Sequence, residues 1–175
     1  MIMRMLAMAM AAFGLTGTAL AAGMLKPGDA FPAWRLKDQA RKEVSSTELA
    51  GTTYLLWFFP KALSPGCTKE GCTLRDNYTG FEKAGVQVLG VSFDAPATNA
   101  KFVKKDHFPF RLLSDTGKTL AVEVGAADST HRLWARRISY LVGPDGKVLE
   151  AYPDVNPGAH AGQVLADLAK LHPAK

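Results

Sequence analysis

The sequence has 175 residues, of which 47% are hydrophobic and 21% are charged, so a single folded domain of ordinary size is expected. Only 2 cysteines occur, which excludes a disulfide-dense mini-protein and a zinc ribbon, because a zinc ribbon needs four clustered ligands. The formal net charge of +5 is compatible with an anionic partner, yet the sequence contains no recognisable nucleic-acid-binding module.

Residues 1–21 are apolar apart from one charge at Arg4. A short basic start, an apolar run of 16 residues and small residues at Ala19 and Ala21 are typical of a secretory signal peptide. An uncleaved N-terminal anchor is the alternative, although a membrane span needs ~20 apolar residues. We therefore expect cleavage after Ala21 and a single mature domain over residues 22–175, without stable membrane association. Export, to the periplasm if the source is bacterial, places both cysteines where disulfides persist.

The remainder of the sequence alternates between predicted strands and helices. Thr53–Phe59 is a run of seven residues without charge, which indicates a central strand buried on both faces and ended by Pro60. In chain order the predicted elements are a strand near 34–36, a capping box and helical turn at 45–51, a strand at 53–59, a helix at 65–83, a strand at 86–92, a helix at 97–106, a strand at 110–114, a helical turn at 118–124, strands at 136–142 and 147–152, and a helix at 161–171.

A Gly-Pro-Asp-Gly turn at residues 143–146 lies between two apolar runs and predicts a β-hairpin. Strands that alternate with helices, followed by a hairpin, predict an α/β domain. Its central mixed sheet is expected to carry helices on both faces.

Cys67 follows the buried strand and lies in the first turn of the next predicted helix. Ser64 suits the N-cap of this helix and Pro65 suits its first position. A helix N-terminus stabilises a thiolate through its unpaired N–H groups and its dipole. In α/β folds, ligands also bind at the carboxyl ends of the strands, which is where this helix begins. Cys67 is therefore predicted to be reactive, the alternatives being an inert buried thiol or a static disulfide.

Cys72 lies five residues after Cys67. On an intact helix this spacing gives ~140° of rotation and ~7.5 Å of rise. A disulfide needs Cα atoms within about 7 Å and converging side chains. The pair is therefore expected to bond only after the start of the helix unwinds, and a small core residue is the alternative role for Cys72.

The run P-K-A-L-S-P-G-C, residues 60–67, resembles the peroxiredoxin active-site pattern P-x-x-x-T/S-x-x-C. Extended to Cys72, it is similar to the bacterioferritin-comigratory, or Q-type, subfamily. Residues 135–148, ARRISYLVGPDGKV, resemble that family's strand pair and place its arginine at Arg137. Two features depart from the subfamily: Ser64 stands where threonine is usual, and an export signal precedes a domain that is often cytosolic.

The resemblance implies a thioredoxin-like peroxiredoxin fold and a thiol-dependent peroxidase that reduces hydrogen peroxide and organic hydroperoxides. Cys67 would be the peroxidatic cysteine, and Cys72 would resolve its sulfenic acid into an intramolecular disulfide. An external dithiol, a thioredoxin-like protein, would reduce that disulfide. The implied cycle uses no metal and no bound cofactor, and the subfamily resemblance favours a monomer.

Three further residues receive roles from the resemblance. Pro60 would shield the sulfur, Ser64 would hydrogen-bond the sulfur and the peroxide, and Arg137 would hold the thiolate and polarise the O–O bond. Strand alternation allows only one of Arg136 and Arg137 to face the cysteine, and the resemblance selects Arg137. Glu70, one turn after Cys67, is interpreted as a helix-dipole residue whose charge could also modulate reactivity.

Two other functions remain as alternatives. A thioredoxin-like thiol–disulfide oxidoreductase would carry C-x-x-C, whereas the spacing here is C-x-x-x-x-C. A copper-binding chaperone of thioredoxin-like fold would carry C-x-x-x-C and a dedicated histidine, for which His131 is a conceivable ligand. The histidines are expected at solvated loop or helix-end positions, namely His107, His131, His160 and His172.

Overall fold

The structure, a computed structural model, describes residues 23–171; the predicted signal peptide and its cleavage site lie outside the described residues. Within 23–171 no helix is long and apolar enough to cross a membrane. The strands are β1 (Arg35–Asp38), β2 (Glu43–Ser45), β3 (Thr53–Phe58), β4 (Val86–Ser92), β5 (Arg111–Ser114), β6 (Ile138–Val142) and β7 (Val148–Tyr152). The α-helices are α1 (Pro65–Asp76), α2 (Tyr78–Lys83), α3 (Pro96–Asp106), α4 (Thr119–Glu123) and α5 (His160–Leu171), and Ser46–Leu49 forms a 3-10 turn.

The strands form one sheet in the order β2-β1-β5-β4-β3-β6-β7. The three inner strands β3, β4 and β5 are parallel, and the outer pairings are antiparallel. The α-helices α1, α2, α3 and α5 contribute to the core on one face, and α4 with the 3-10 turn contributes on the other. The predicted α/β domain with a covered mixed sheet is confirmed.

Strand β3 is buried on both faces, as its uncharged sequence predicts. Leu55 and Trp57 belong to the core on the α1 side, whereas Tyr54, Leu56 and Phe58 belong to the core on the α4 side. Because β3 is fixed from both faces, the residues that follow it start from a rigid point. The loop that begins at residue 60 therefore places α1 reproducibly at the carboxyl end of the parallel strands.

The boundaries of several predicted elements change in the structure. The helix expected at 65–83 is broken at Asn77, whose side chain donates to the carbonyl oxygen of Thr73 at 2.9 Å and so competes with helix continuation. The capping box is not formed, because Ser45 Oγ lies 2.8 Å from Thr47 Oγ1 instead of capping the turn. Strand β2 was not predicted; it is the edge of the sheet, and its three residues pair with β1.

Candidate active site

The first turn of α1 holds Cys67 at the edge of the core, with its side chain fully buried. The preceding loop is tied to the sheet because the Ala62 N–H donates to Asp94 Oδ2 at 2.8 Å. Ser64 occupies the N-cap position and Pro65 begins the helix, as predicted. The backbone N–H of Thr68 donates to the Ser64 carbonyl oxygen at 2.8 Å, which closes the first turn around the cysteine. The sulfur therefore lies at a helix start, where a thiolate is stabilised.

Arg137 reaches the cysteine from the end of the loop that precedes β6. Its Nη2 donates to Cys67 Sγ at 3.4 Å, whereas Arg136 Nη1 donates to the Gly125 carbonyl oxygen at 3.2 Å. Leu141, four residues further along β6, packs in the same core cluster as Cys67. The structure thus brings Arg137, and not Arg136, to the sulfur. Arg137 is also the residue that the resemblance selects.

Gly66 allows this approach of the guanidinium. A Cβ atom on Gly66 would lie 3.1 Å from Arg137 Nη2, closer than most side-chain contacts allow. A side chain at this position would therefore require the guanidinium to shift by a few tenths of an ångström from its place beside the sulfur.

Glu70 completes the cluster, and its carboxyl group is fully buried. Its Oε2 pairs with Arg137 Nη1, and its Oε1 has no hydrogen-bond partner among residues 23–171. Burial raises the pKa of Glu70 to about 7, although the charge of Arg137 and its hydrogen bond oppose the rise. Burial also works against the charge of Arg137, but Glu70 and Cys67 together raise the pKa of its guanidinium.

Glu70 is not among the catalytic residues that the sequence predicts. The available signal was its spacing, because residues three apart share one face of a helix and Glu70 lies three residues after Cys67. Full burial of the carboxyl group depends on packing against other elements, so it was not visible in the sequence.

Ser64 and Pro60 belong to the loop that precedes Cys67, and the contact of Ser64 differs from the predicted one. The Ser64 hydroxyl donates to the Lys61 carbonyl oxygen at 2.9 Å and does not contact the sulfur. It also makes no side-chain capping hydrogen bond. Pro60 lies two residues after the end of β3 and is partly exposed.

Cys72 lies on the same intact helix as Cys67, and both thiols are free. Burial raises the pKa of the Cys72 thiol, while the nearby charge of Arg75 opposes that rise. The structure thus holds the two cysteines in the arrangement for which helix geometry forbids a disulfide.

A second buried polar pair lies on the same face of β6. Ser139, two residues after Arg137, places its Oγ 2.9 Å from His160 Nε2, and within the described part of the chain His160 Nδ1 has no hydrogen-bond partner. Burial and then the charge of Arg137 lower the pKa of His160 to about 4, so the ring is neutral near pH 7. The expectation of a solvated position is wrong for His160: it begins α5, but its side chain is fully buried.

The site has no metal-binding geometry around it: among residues 23–171, no three His, Cys, Asp or Glu side chains are grouped so as to hold a metal ion. The groups placed to act on the sulfur are one cation, Arg137, which contacts it, and the start of the helix that carries it. Such a set stabilises a nucleophilic sulfur anion and negative charge that develops on a substrate oxygen.

A family model described as the AhpC/TSA family matches residues 27–151 of the chain. The chain is similar to peroxiredoxin Bcp of Escherichia coli K12, with 37% identity over 151 residues, which are 81% of this chain and 94% of that protein. It is also 35% identical over 155 residues to the chloroplastic peroxiredoxin Q of Triticum aestivum, covering 88% of this chain and 71% of that protein.

Two solved structures extend the similarity to the fold. Peroxidoxin BcpB from Mycobacterium tuberculosis superimposes with a TM-score of 0.79 and 30% identity, over 86% of this chain and 99% of that one. Peroxiredoxin Q from Xanthomonas campestris gives a TM-score of 0.74 and 30% identity, over 87% of this chain and 98% of that one.

Proposed function

Because the chain belongs to the AhpC/TSA family and is a thioredoxin-like peroxiredoxin with relatives of the Bcp and Q type, we propose that Cys67 is the peroxidatic cysteine of this thiol peroxidase. One observation carries the assignment: the Cys67 sulfur lies at a helix start with Arg137 Nη2 at 3.4 Å. The family membership decides against the two alternatives, an oxidoreductase of the thioredoxin type and a copper chaperone.

In the first step the Cys67 thiolate attacks one oxygen of the peroxide. The S–O bond forms as the O–O bond breaks, so the sulfur is oxidised to a sulfenic acid and the peroxide is reduced. The departing oxygen leaves as hydroxide or alkoxide and takes a proton to become water or an alcohol. Arg137 and the N–H groups of the α1 start stabilise the negative charge before and during this step.

In the second step the Cys72 thiol attacks the Cys67 sulfenic acid, a disulfide forms and water leaves. The first turns of α1 must open for this, because the intact helix keeps the two residues apart. An external dithiol then reduces the disulfide by exchange, which returns both thiols and lets α1 close. Both cysteines come from one chain, so the cycle is complete in a monomer.

Two neighbouring residues assist the first step. Pro60 covers the entrance and limits the access of water. Ser64 turns its hydroxyl from the Lys61 carbonyl oxygen towards the bound peroxide, a rotation about one side-chain bond. The Ser64 hydroxyl then donates to the peroxide the hydrogen bond that it donates to the Lys61 carbonyl oxygen when no peroxide is bound.

The assignment of the cysteines is tested by reacting the reduced protein with one equivalent of hydrogen peroxide and following free thiols and intact mass. Wild type is expected to lose two thiols rapidly, Cys67→Ser to react slowly, and Cys72→Ser to accumulate a sulfenic or further oxidised Cys67. Consumption of peroxide by Cys67→Ser at the wild-type rate would overturn the assignment.

We further propose that residues 1–21 direct export and are then removed. The support is the basic start, the apolar run and the small residues before Ala22. Expression of the full sequence in a bacterium, followed by fractionation and N-terminal sequencing, is expected to give periplasmic protein that starts at Ala22. Cytoplasmic protein that retains Met1 would refute the proposal.

A further inference from the structure

Within the described residues, three charged side chains from two helices act on the thiol of Cys72. Arg75 and Asp76 follow Cys72 on α1, and Asp106 is the last residue of α3. Burial raises the pKa of the Cys72 thiol most, the charge of Arg75 opposes that rise, and the charges of Asp106 and Asp76 add to it. Arg75 is the cation of this group, so it is the member that stabilises a Cys72 thiolate.

The guanidinium of Arg75 is held in place by hydrogen bonds on two sides. Its Nη1 donates to the Asp106 carbonyl oxygen at 2.7 Å, and its Nε donates to Asp76 Oδ1 at 2.8 Å. The Asp106 carbonyl is at the end of α3 and has no acceptor role within that helix, so an arginine side chain from a neighbouring helix satisfies it. Arg75 also lies three residues after Cys72, which places both residues on one face of α1.

The contacts of Arg75 lie outside the segment that must open. Formation of the disulfide requires the first turns of α1 to unwind, and Cys67 belongs to those turns. Arg75, Asp76 and the end of α3 do not belong to them. The cation can therefore stay with its partners, beside Cys72, while Cys67 moves.

We infer that Arg75 promotes the resolving step by stabilising the thiolate of Cys72, so that openings of α1 end in a disulfide. The inference rests on the proposed function, because it concerns the second cysteine of that cycle. The thiolate, not the thiol, is the nucleophile. An opening of the helix therefore succeeds only if Cys72 has lost its proton by then.

The step balances without any further reactant. The Cys72 thiol gives its proton to water, and the thiolate sulfur forms a bond with the Cys67 sulfur as the S–O bond of the sulfenic acid breaks. The oxygen leaves as hydroxide and takes a proton to become water. The Cys72 sulfur is oxidised and the Cys67 sulfur is reduced, which gives the disulfide.

The test is a single turnover with one equivalent of hydrogen peroxide, in which oxidation of Cys67 and formation of the disulfide are followed separately by rapid quenching, alkylation and intact mass. The pH is varied from about 6 to 10, the range in which a thiol ionises. In Arg75→Gln the amide can still donate to the Asp106 carbonyl oxygen but carries no charge. Disulfide formation is expected to be on the order of threefold slower at pH 7, because fewer thiolates form while each becomes more nucleophilic. The pH profile moves to higher pH, and at its upper plateau the variant is at least as fast as wild type.

Three further variants isolate the charge. Asp106→Asn removes a carboxylate that disfavours the thiolate and keeps the backbone carbonyl, so it is expected to move the profile to lower pH and to speed disulfide formation at pH 7. Arg75→Lys keeps the positive charge and is expected to stay close to wild type. The matched control is Arg35→Gln, which removes an exposed arginine that pairs with Glu43 in the sheet, and it is expected to keep the wild-type profile.

The outcomes separate the inference from the proposed function. If Arg75→Gln slows disulfide formation equally at every pH, Arg75 only ties α1 to α3, and the inference fails alone; an unchanged profile has the same consequence. If Arg75→Gln does not fold, Asp106→Asn decides, and an unshifted profile in that folded protein overturns the inference. If wild type does not oxidise Cys67 rapidly or forms no disulfide with Cys72, the proposed function itself is wrong.

Discussion

Glu70 links the protonation state of the site to the folded state of α1. The carboxyl group is fully buried, and one of its oxygens pairs with the Arg137 guanidinium. Removal of a carboxylate from water is costly, and a single ion pair offsets the cost incompletely. Burial therefore keeps the pKa of Glu70 at about 7, well above its ordinary value of 4.5. The intact helix binds a proton that the opened helix releases.

The sign of the resulting pH dependence follows from linkage. The stability that the Glu70 proton provides is fully present below pH 4.5 and is lost as the pH rises through about 7. In a Cys67→Ser, Cys72→Ser background, the free energy of unfolding is expected to fall between pH 5 and pH 8 relative to the same protein with Glu70→Gln. The expected difference is on the order of 2–3 kcal/mol, measured by urea unfolding. Identical pH profiles of the two proteins would contradict it.

The pH dependence of unfolding must be compared with that of the Glu70→Gln protein, because His160 changes the free energy of unfolding with pH in the opposite direction to Glu70. Its pKa is lowered from 6.5 to about 4, so its contribution to stability is present above pH 6.5 and is lost as the pH falls towards 4. Between pH 4.5 and 6.5 the two groups partly cancel in wild type. His160 is present in both proteins of the Glu70 comparison, and its effect is therefore removed from their difference.

At the scale of the secondary-structure elements, α1 approaches its neighbours closely because glycine occupies two of its positions. A Cβ on Gly71 would lie 2.4 Å from the ring of Phe108, and a Cβ on Gly66 would lie 3.1 Å from Arg137 Nη2. Gly71 lets the middle of the helix pack on the core. Gly66 leaves room for the guanidinium beside Cys67.

Gly66→Ala is expected to slow the oxidation of Cys67 by hydrogen peroxide about tenfold, because the added methyl group displaces Arg137 from the sulfur. The measurement is stopped-flow loss of the Cys67 thiol. The matched control is Gly162→Ala in α5, where an added Cβ meets nothing within 4 Å. That variant is expected to keep the wild-type rate, and a Gly66→Ala protein equally fast would refute the role assigned to Gly66.

The elements that could be predicted from the sequence are those with a strong local pattern. Strand β4 has the predicted bounds, and one helix carries both cysteines after a proline, since uncharged runs, proline and N-cap residues act locally. The break at Asn77 depends on a side-chain hydrogen bond, and β2 depends on its pairing with β1. The burial of Glu70 and His160 depends on packing between distant segments, which residue spacing does not reveal.

At the scale of the whole molecule, the sheet and α1 are held by contacts of different kinds. Strand β3 is hydrogen-bonded to a neighbouring strand on each side, whereas α1 packs on the core through its side chains and has separate side-chain contacts near the cysteines. These include the pair of Glu70 with Arg137 and the hydrogen bond from Thr73 Oγ1 to the Pro157 carbonyl oxygen at 3.0 Å. The helix start is therefore able to open while the sheet stays folded.

Formation of the disulfide is expected to abolish the protection of the backbone amides at residues 67–72 against hydrogen exchange. Amides in β3 and β4 are expected to keep their protection, because the disulfide requires no change in the sheet. The measurement is hydrogen exchange of the reduced and peroxide-treated proteins, with Cys72→Ser as the control that forms no internal bridge. Unchanged protection at 67–72 in a protein shown by mass to contain the disulfide would contradict the model of an opened helix.

Because both cysteines lie on one helix, the opening rate of that helix limits how fast they can form a disulfide. In the proposed cycle, the interval between the oxidation of Cys67 and its reaction with Cys72 is set by how often the first turns of α1 open. During that interval a second peroxide molecule can oxidise the sulfenic acid to an irreversibly inactive sulfinic acid. The peroxide concentration at which the enzyme is inactivated by over-oxidation is therefore set by how often a few helical residues open. Substitutions that tighten the packing of α1 are expected to lower this concentration.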